Sequence, residues 1–142
     1  MANLVTKQSI SQELAQKLLN EAEFKAQELG IPASIAICDE SGVLKVFARM
    51  DGAPLMSIEL AIKKAKTSVG FGLSTADLFN FIKNDPPLCM GAPHIEDLVV
   101  FGGGHPIKVD GQIVGGIGVS GGHYSYDVQC VEKALELLEN SV

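Results

Sequence analysis

The sequence lacks the features of several large classes of protein. It has only three cysteines in 142 residues, and no two of them have the CxxC spacing of metal and redox sites. No apolar run approaches the roughly 20 residues that a membrane-spanning helix needs. The first nine residues lack a basic stretch followed by an apolar one, so no secretory signal is predicted. These absences predict a cytoplasmic protein with reduced thiols and no membrane partner.

Positive charge is also scarce. The chain has 11 Lys and Arg against 17 Asp and Glu, which gives a formal net charge of −6. The basic residues are spread out, apart from Lys63, Lys64 and Lys66. An acidic surface repels phosphate backbones, so nucleic acid is not predicted as a partner.

Glycine, in contrast, is abundant: the chain has 15, and more than half fall from Gly102 to Gly122. Glycines alternating along a strand are typical of close packing under a helix. A second interpretation is that Gly121 and its neighbour present backbone N–H groups, at the start of the last helix, to an anionic ligand. Asp127 in the first turn of that helix argues against an anion there, because its carboxylate already complements the helix dipole.

The hydrophobic pattern predicts an alternation of helices and paired strands. A first helix is capped by Ser9 with Gln12 and ends at Gly30. The elements predicted after it are strands over 33–38 and 43–48, a helix beginning at Pro54, a short helix after Ser74, a loop over 84–93, strands over 98–101, 106–109 and 112–119, and a last helix from about Ser125.

This order, α-ββ-αα-βββ-α, predicts an α+β fold. Strands joined by hairpins favour a central antiparallel sheet of about five strands, with N- and C-terminal helices and a helical pair packed on it. A parallel sheet would need a crossover helix between successive strands, and these are missing. No linker or repeat interrupts the pattern, so residues 1–142 are predicted to form a single domain.

Four segments of the chain resemble the GlcG/HbpS-like family, which includes the C-terminal domain of PduO-type corrinoid proteins. They are IAICDESG at 35–42, RMDGA at 49–53 with Ser57, AIKKAKTS at 61–68 with Ser74 and Thr75, and GGHPI at 103–107 leading into Asp110-Gly111 and GGIGVSGG at 115–122 with Asp127. The resemblance implies a profilin-like fold, assembly into homo-oligomers and binding of haem or a related tetrapyrrole. It also implies an accessory role in a catabolic operon.

Two pairs of residues are candidates for the ligand site. Arg49 beside Asp51 at a strand end is either a structural ion pair or an arginine fork for a carboxylate, held in place by Asp51. Lys64 and Thr67 share one face of a predicted helix and are either structural or part of the site. The resemblance implies a threonine on this helix as a haem-iron ligand, which points to Thr67.

The three histidines, His94, His105 and His123, have no i, i+3 or i, i+4 pairing, so they form no local metal motif. His105 starts a predicted strand beside the glycine run, and His123 precedes the last helix. Each is either a hydrogen-bonded structural residue or a ligand or acid/base group. PduO-type relatives use a first-helix histidine for haem, whereas residues 9–30 contain none. A haem iron would therefore depend on Thr67 or His105.

Three functions compete. The first is a binder of haem, a corrinoid or a related ligand. The second is an isomerase, lyase or hydrolase acting on a small carboxylate or carbonyl compound. Arg49 would anchor its substrate and Lys64, His105 or His123 would transfer protons, which requires Arg49 and His105 within one substrate length. The third is an interaction module whose surface includes Met50, Met56, Phe79, Phe81 and Met90, although the pattern favours the core for these side chains.

Overall fold

The structure, a computed structural model, describes residues 2–139 and builds one antiparallel sheet flanked by helices. The strands lie in the order β2-β1-β4-β3; they are β1 (Ser34–Asp39), β2 (Leu44–Arg49), β3 (Gly104–Val109) and β4 (Gln112–Ser120). The helices are α1 (Gln12–Leu29), α2 (Ser57–Phe71), α3 (Thr75–Ile82), α4 (Pro86–Gly91) and α5 (Tyr124–Glu139), and a 3₁₀ turn covers Ala92–His94. The predicted α+β class is confirmed.

The sheet lies between two helical layers. On one face, Ile35, Ile37 and Ile117 pack against α1 and α5 in the main core. On the other face, Ala36 and Cys38 pack against α2. Because successive side chains of a strand point to opposite faces and both faces are covered, β1 is buried along almost its whole length.

Both predicted hairpins are present, and their turn residues explain them. Asp110 and Gly111 have φ of 51° and 79°, the left-handed pair that a two-residue type I′ turn requires. In the other turn, the Asp39 carboxylate accepts hydrogen bonds from the Ser41 and Val43 backbone N–H groups at 2.8 and 3.1 Å. Local turn chemistry therefore sets both connections.

The predicted strand over 98–101 is wrong, and the sheet has four strands rather than about five. The Val99 N–H donates to the Thr67 hydroxyl at 3.1 Å instead of to a neighbouring strand. Leu98 and Val100 pack against a small cluster built on Leu78 and Ile82 of α3. The apolar run is thus explained by side-chain burial without strand pairing.

Several predicted boundaries also move. The cap of α1 is Ser11, whose hydroxyl accepts the Leu14 N–H, rather than Ser9. Helix α2 begins at Ser57, after a turn that contains Pro54. The predicted loop over 84–93 contains α4, because prolines are tolerated in the first turn of a helix, where their missing N–H has no intrahelical partner.

The three thiols are free, and two of them lie in the core. Burial raises the pKa of Cys38 to about 11 and that of Cys130 to about 12, so both remain protonated at neutral pH. Cys89 is half-buried. Over residues 2–139, no helix combines the length and apolar character needed to span a membrane.

Candidate functional site

A groove of about 590 Å³ runs between α5 and the start of β3. Val128, Val131 and Leu135 form its apolar surface on α5. On the opposite side, Gly103 and Gly104 bring the backbone close to the groove, next to the half-buried His105. Three glutamates of α5 also line the groove, and its volume lies in the range of small-molecule sites.

The hydrogen bond of His105 decides which of its ring nitrogens is available. Nδ1 lies 2.8 Å from the Pro106 carbonyl oxygen, which can only accept, so Nδ1 carries the proton. In the neutral ring, Nε2 then bears the lone pair. A histidine held in this way by a backbone carbonyl has the tautomer of a metal ligand.

The hydrogen bonds of His123 give the opposite result. Its Nδ1 accepts the Ser125 N–H at 3.2 Å and lies 2.9 Å from the Ser125 hydroxyl. The neutral ring therefore carries its proton on Nε2. The His123 carbonyl accepts the Tyr126 and Asp127 N–H groups, so this residue caps the start of α5.

Thr67 is occupied by structural hydrogen bonds. Its hydroxyl donates to the Asp97 carbonyl oxygen at 2.8 Å and accepts the Val99 N–H at 3.1 Å. The side chain is buried and borders a separate cavity of about 210 Å³. Thr67 thus ties α2 to the segment before β3 and lies outside the lining of the His105 groove.

Lys64 is part of a buried ion pair. With only 1% of its surface exposed, it donates from Nζ to the Val119 carbonyl at 2.9 Å and to the Asp127 carboxylate at 3.1 Å. Burial lowers the pKa of Lys64 and raises that of Asp127, and the attraction between the two charges opposes both shifts. The Phe101 ring covers the ammonium group, with its centroid 5.1 Å from Nζ. Lys64 therefore has no direct access to the groove.

The glycines at the end of β4 pack closely, and the helix end they precede already has a carboxylate. A Cβ on Gly121 would meet the Pro32 carbonyl oxygen and lie 2.6 Å from the Ala33 Cα. The Gly122 N–H donates to the Asp127 carboxylate at 3.3 Å. Asp127 thus serves as the internal anion of this helix start.

Arg49 lies far from His105. Arg49 pairs with Ser34, which pairs with Ser120, whereas His105 pairs with Ile117. The outer strands β2 and β3 are three strand spacings apart, about 14 Å. Because Ser120 and Ile117 are separated by an odd number of residues on β4, Arg49 and His105 also lie on opposite faces of the sheet. The enzyme hypothesis that anchors a carboxylate at Arg49 and uses His105 for proton transfer is therefore wrong.

Arg49 and Asp51 are both exposed. Within the part of the chain that the structure describes, no ion pair joins them. No group of three His, Cys, Asp or Glu side chains suited to a metal ion is found among residues 2–139.

An aromatic pocket of about 400 Å³ adjoins the groove and was not predicted from the sequence. Phe79, Phe101 and Tyr124 line it, and the groove and the pocket share Ala76. The Phe101 and Tyr124 ring centroids are 6.4 Å apart. The three rings come from α3, the segment before β3 and the start of α5, so no local motif announces them.

Comparison with known proteins identifies the family to which the chain belongs. The family model described as "Haem degrading protein HbpS-like" matches residues 10–136. The match includes all four strands and reaches into α5. The chain belongs to the HbpS-like family. The resemblance inferred from the four sequence segments is thereby confirmed.

Relatives of this HbpS-like chain include a longer protein and one of similar length. The corrinoid adenosyltransferase PduO of Citrobacter freundii is 36% identical over 128 residues, which cover 89% of this chain and 38% of PduO. Protein GlcG of Escherichia coli K12 is 31% identical over 115 residues, covering 81% of this chain and 84% of GlcG. The chain thus spans well under half of PduO.

A solved relative contains haem. The crystal structure of a PduOC:haem complex matches this HbpS-like chain with a TM-score of 0.82 and 32% identity, covering 90% of this chain and 94% of the other.

Proposed function

We propose that this chain binds haem or a related metal tetrapyrrole in the groove between α5 and β3. The observation that carries the proposal is the lone pair on the Nε2 atom of His105, which borders the groove. Of the two iron ligands suggested by the sequence, Thr67 has its hydroxyl engaged by two backbone groups. Within the part of the chain that the structure describes, the hydrogen bond of the His105 ring uses Nδ1, which leaves Nε2 to serve as a ligand.

The neighbouring aromatic pocket supports the same proposal. A flat macrocycle gains most from rings against which it can stack, and Phe101 and Tyr124 offer such surfaces beside the groove. In this arrangement His105 would hold the metal, and the apolar side chains of α5 would exclude water. The bound metal would supply the coordination chemistry, while the protein would set its ligand and access.

Titration with haemin tests this function. We expect the purified protein to shift the Soret band of haemin. His105→Ala should change the spectrum and weaken haemin binding at least about tenfold, because it removes the side chain that would bind the iron. His94→Ala, which removes an exposed histidine, is the matched control.

Thr67→Ala tests the other iron ligand that the sequence suggested. This variant should leave the haem spectrum unchanged and lower only the free energy of unfolding. A wild-type protein that leaves the Soret band unchanged, or a His105→Ala variant with an unaltered spectrum and affinity, would contradict the proposal.

We also propose that the chain forms homo-oligomers through the face of α3 and α4. Phe81 is 68% exposed and Met90 74%, and Phe79 and Met56 are also exposed, so the prediction that these side chains are core is wrong. Met50 alone of the predicted set packs against the main core. Exposed apolar side chains that cluster on a surface mark protein–protein interaction sites.

Light scattering of Phe81→Glu tests the oligomer. We expect wild-type protein to have the mass of a multimer and Phe81→Glu to shift toward the monomer, because a carboxylate is costly to bury in an interface. Phe24→Glu, on the exposed side of α1, should leave the mass unchanged. A monomeric wild-type protein would contradict the proposed homo-oligomer. The cytoplasmic location and the role in a catabolic operon remain predictions.

A further inference from the structure

The stability of the fold does not by itself account for the buried charge of Lys64. The ammonium group and the Asp127 carboxylate are withdrawn from water together, with 1% and 2% of the two side chains exposed. Apolar side chains of similar volume often replace a buried ion pair without loss of stability, because the removal of two charges from water offsets their attraction. A charge at this position therefore points to a role beyond packing.

The Phe101 ring is a third neighbour of the Lys64 ammonium group. An ammonium group has three N–H bonds, and in Lys64 two of them donate to the Val119 carbonyl and the Asp127 carboxylate. The face of the Phe101 ring lies against the same group, with its centroid 5.1 Å from Nζ. A cation within about 6 Å of a ring centroid is attracted to the ring face, most strongly where water is excluded. The burial of Lys64 meets this condition.

The orientation of Phe101 depends on contacts of its side chain, because its backbone belongs to neither a helix nor a strand. The residue is 41% exposed. Within the part of the chain that the structure describes, the aromatic and cation–π contacts of its ring are with Tyr124, at 6.4 Å between centroids, and with the Lys64 ammonium group. Lys64 is thus one of two groups that hold this ring.

Gly103 allows the chain beside the ring to approach Lys64. A Cβ on Gly103 would lie 2.6 Å from Nζ of Lys64 and 2.7 Å from the Val119 carbonyl oxygen. These two atoms form one hydrogen bond, so a side chain at position 103 would have to break that bond or displace the segment that carries Phe101. The backbone next to the ring is therefore shaped to lie against the ammonium group.

We propose that Lys64 is a positioning residue of the ligand site, whose ammonium group holds the Phe101 ring as one wall of the aromatic pocket. The inference rests on the tetrapyrrole binding proposed above. A ring that is already held loses little conformational freedom when a flat ligand stacks on it, so the ligand binds more tightly than it would to a mobile ring. Lys64 acts on the ligand through Phe101 and does not touch it.

A double-mutant cycle on haemin affinity tests this role. Lys64→Met/Asp127→Leu removes both buried charges and fills their space with apolar side chains. We expect this variant to bind haemin about fivefold more weakly and to keep the Soret position of the wild-type complex, because His105 still binds the iron. Phe101→Leu should also weaken binding. Adding Lys64→Met/Asp127→Leu to Phe101→Leu should cause little further loss, because no ring remains to be held.

Two more variants separate the effect from folding and from the general loss of an aromatic ring. Lys64→Gln/Asp127→Asn replaces both charges by neutral amides that can still form hydrogen bonds, and it should show the same loss of haemin affinity. Phe24→Leu, on the exposed side of α1, is the matched control for Phe101→Leu and should leave the affinity unchanged.

The possible failures are distinct. Wild-type affinity in the two variants without the buried charges overturns the role of Lys64 while leaving tetrapyrrole binding in place. A loss of equal size with and without the Phe101 ring also overturns it, because a purely structural role lowers the affinity whether or not the ring is present. Absence of haemin binding by the wild-type protein overturns the proposed function itself.

Discussion

Replacing Lys64 by methionine should lower the free energy of unfolding by about 3–5 kcal/mol. Methionine has a similar length and fills the space, but it leaves the Asp127 carboxylate buried without its partner. For a domain of this size the loss corresponds to a fall in Tm of roughly 10–15 °C. Urea denaturation followed by circular dichroism measures it.

The pH dependence of the stability loss in Lys64→Met tests whether the unpaired Asp127 carboxylate causes it. Burial raises the pKa of Asp127, and removing Lys64 takes away the attraction that opposes this rise. A carboxyl group whose folded pKa lies above its unfolded value binds more protons in the folded state, so stability falls as pH rises between the two values. The deficit of Lys64→Met should therefore be smaller at pH 5 than at pH 7.

The double variant Lys64→Met/Asp127→Leu is the control. It removes both charges and should recover much of the lost stability, because two apolar side chains can replace a buried ion pair. If the loss in the double variant equals the sum of the losses in the two single variants, the two side chains are not coupled.

Gly118→Ala should cost about 3 kcal/mol, at the upper end of what one added methyl group costs in a packed core. Its Cβ would meet the Ala61 carbonyl oxygen and lie 2.7 Å from the Ala65 backbone nitrogen. Both are backbone atoms of α2, so the helix must move away from the sheet. Thermal unfolding of the purified variant measures the loss.

Gly70→Ala is the matched control within α2. A Cβ there meets no atom within 4 Å, and alanine is the better helix former. We expect a small gain, about 0.5 kcal/mol, because the position is close to the helix end. A Gly118→Ala variant as stable as the wild type would mean that α2 does not rest on the β4 backbone as described.

The packing of α2 explains much of the glycine pattern. Gly116 and Gly118 lie under α2, where a Cβ on Gly116 would come within 2.7 Å of the Ala65 carbonyl oxygen. Small residues on both sides let the backbones of helix and strand approach. The interpretation of this segment as close packing is therefore confirmed for β4.

The sequence by itself determined the family, the α+β class and both hairpins. These depend on local order: Asp110-Gly111 adopts its turn because of its own backbone preferences. The sequence also identified Lys64 and His105 as residues of interest. It did not assign their roles.

Only the tertiary structure decided those roles, because each depends on an atom contributed by another element or by the folded backbone. Lys64 and Asp127 are 63 positions apart, and their pairing exists only once α2 and α5 meet at the end of β4. The free nitrogen of His105 follows from a hydrogen bond to a backbone carbonyl. Periodicity reports which face of an element is buried, whereas a site is defined by which faces meet.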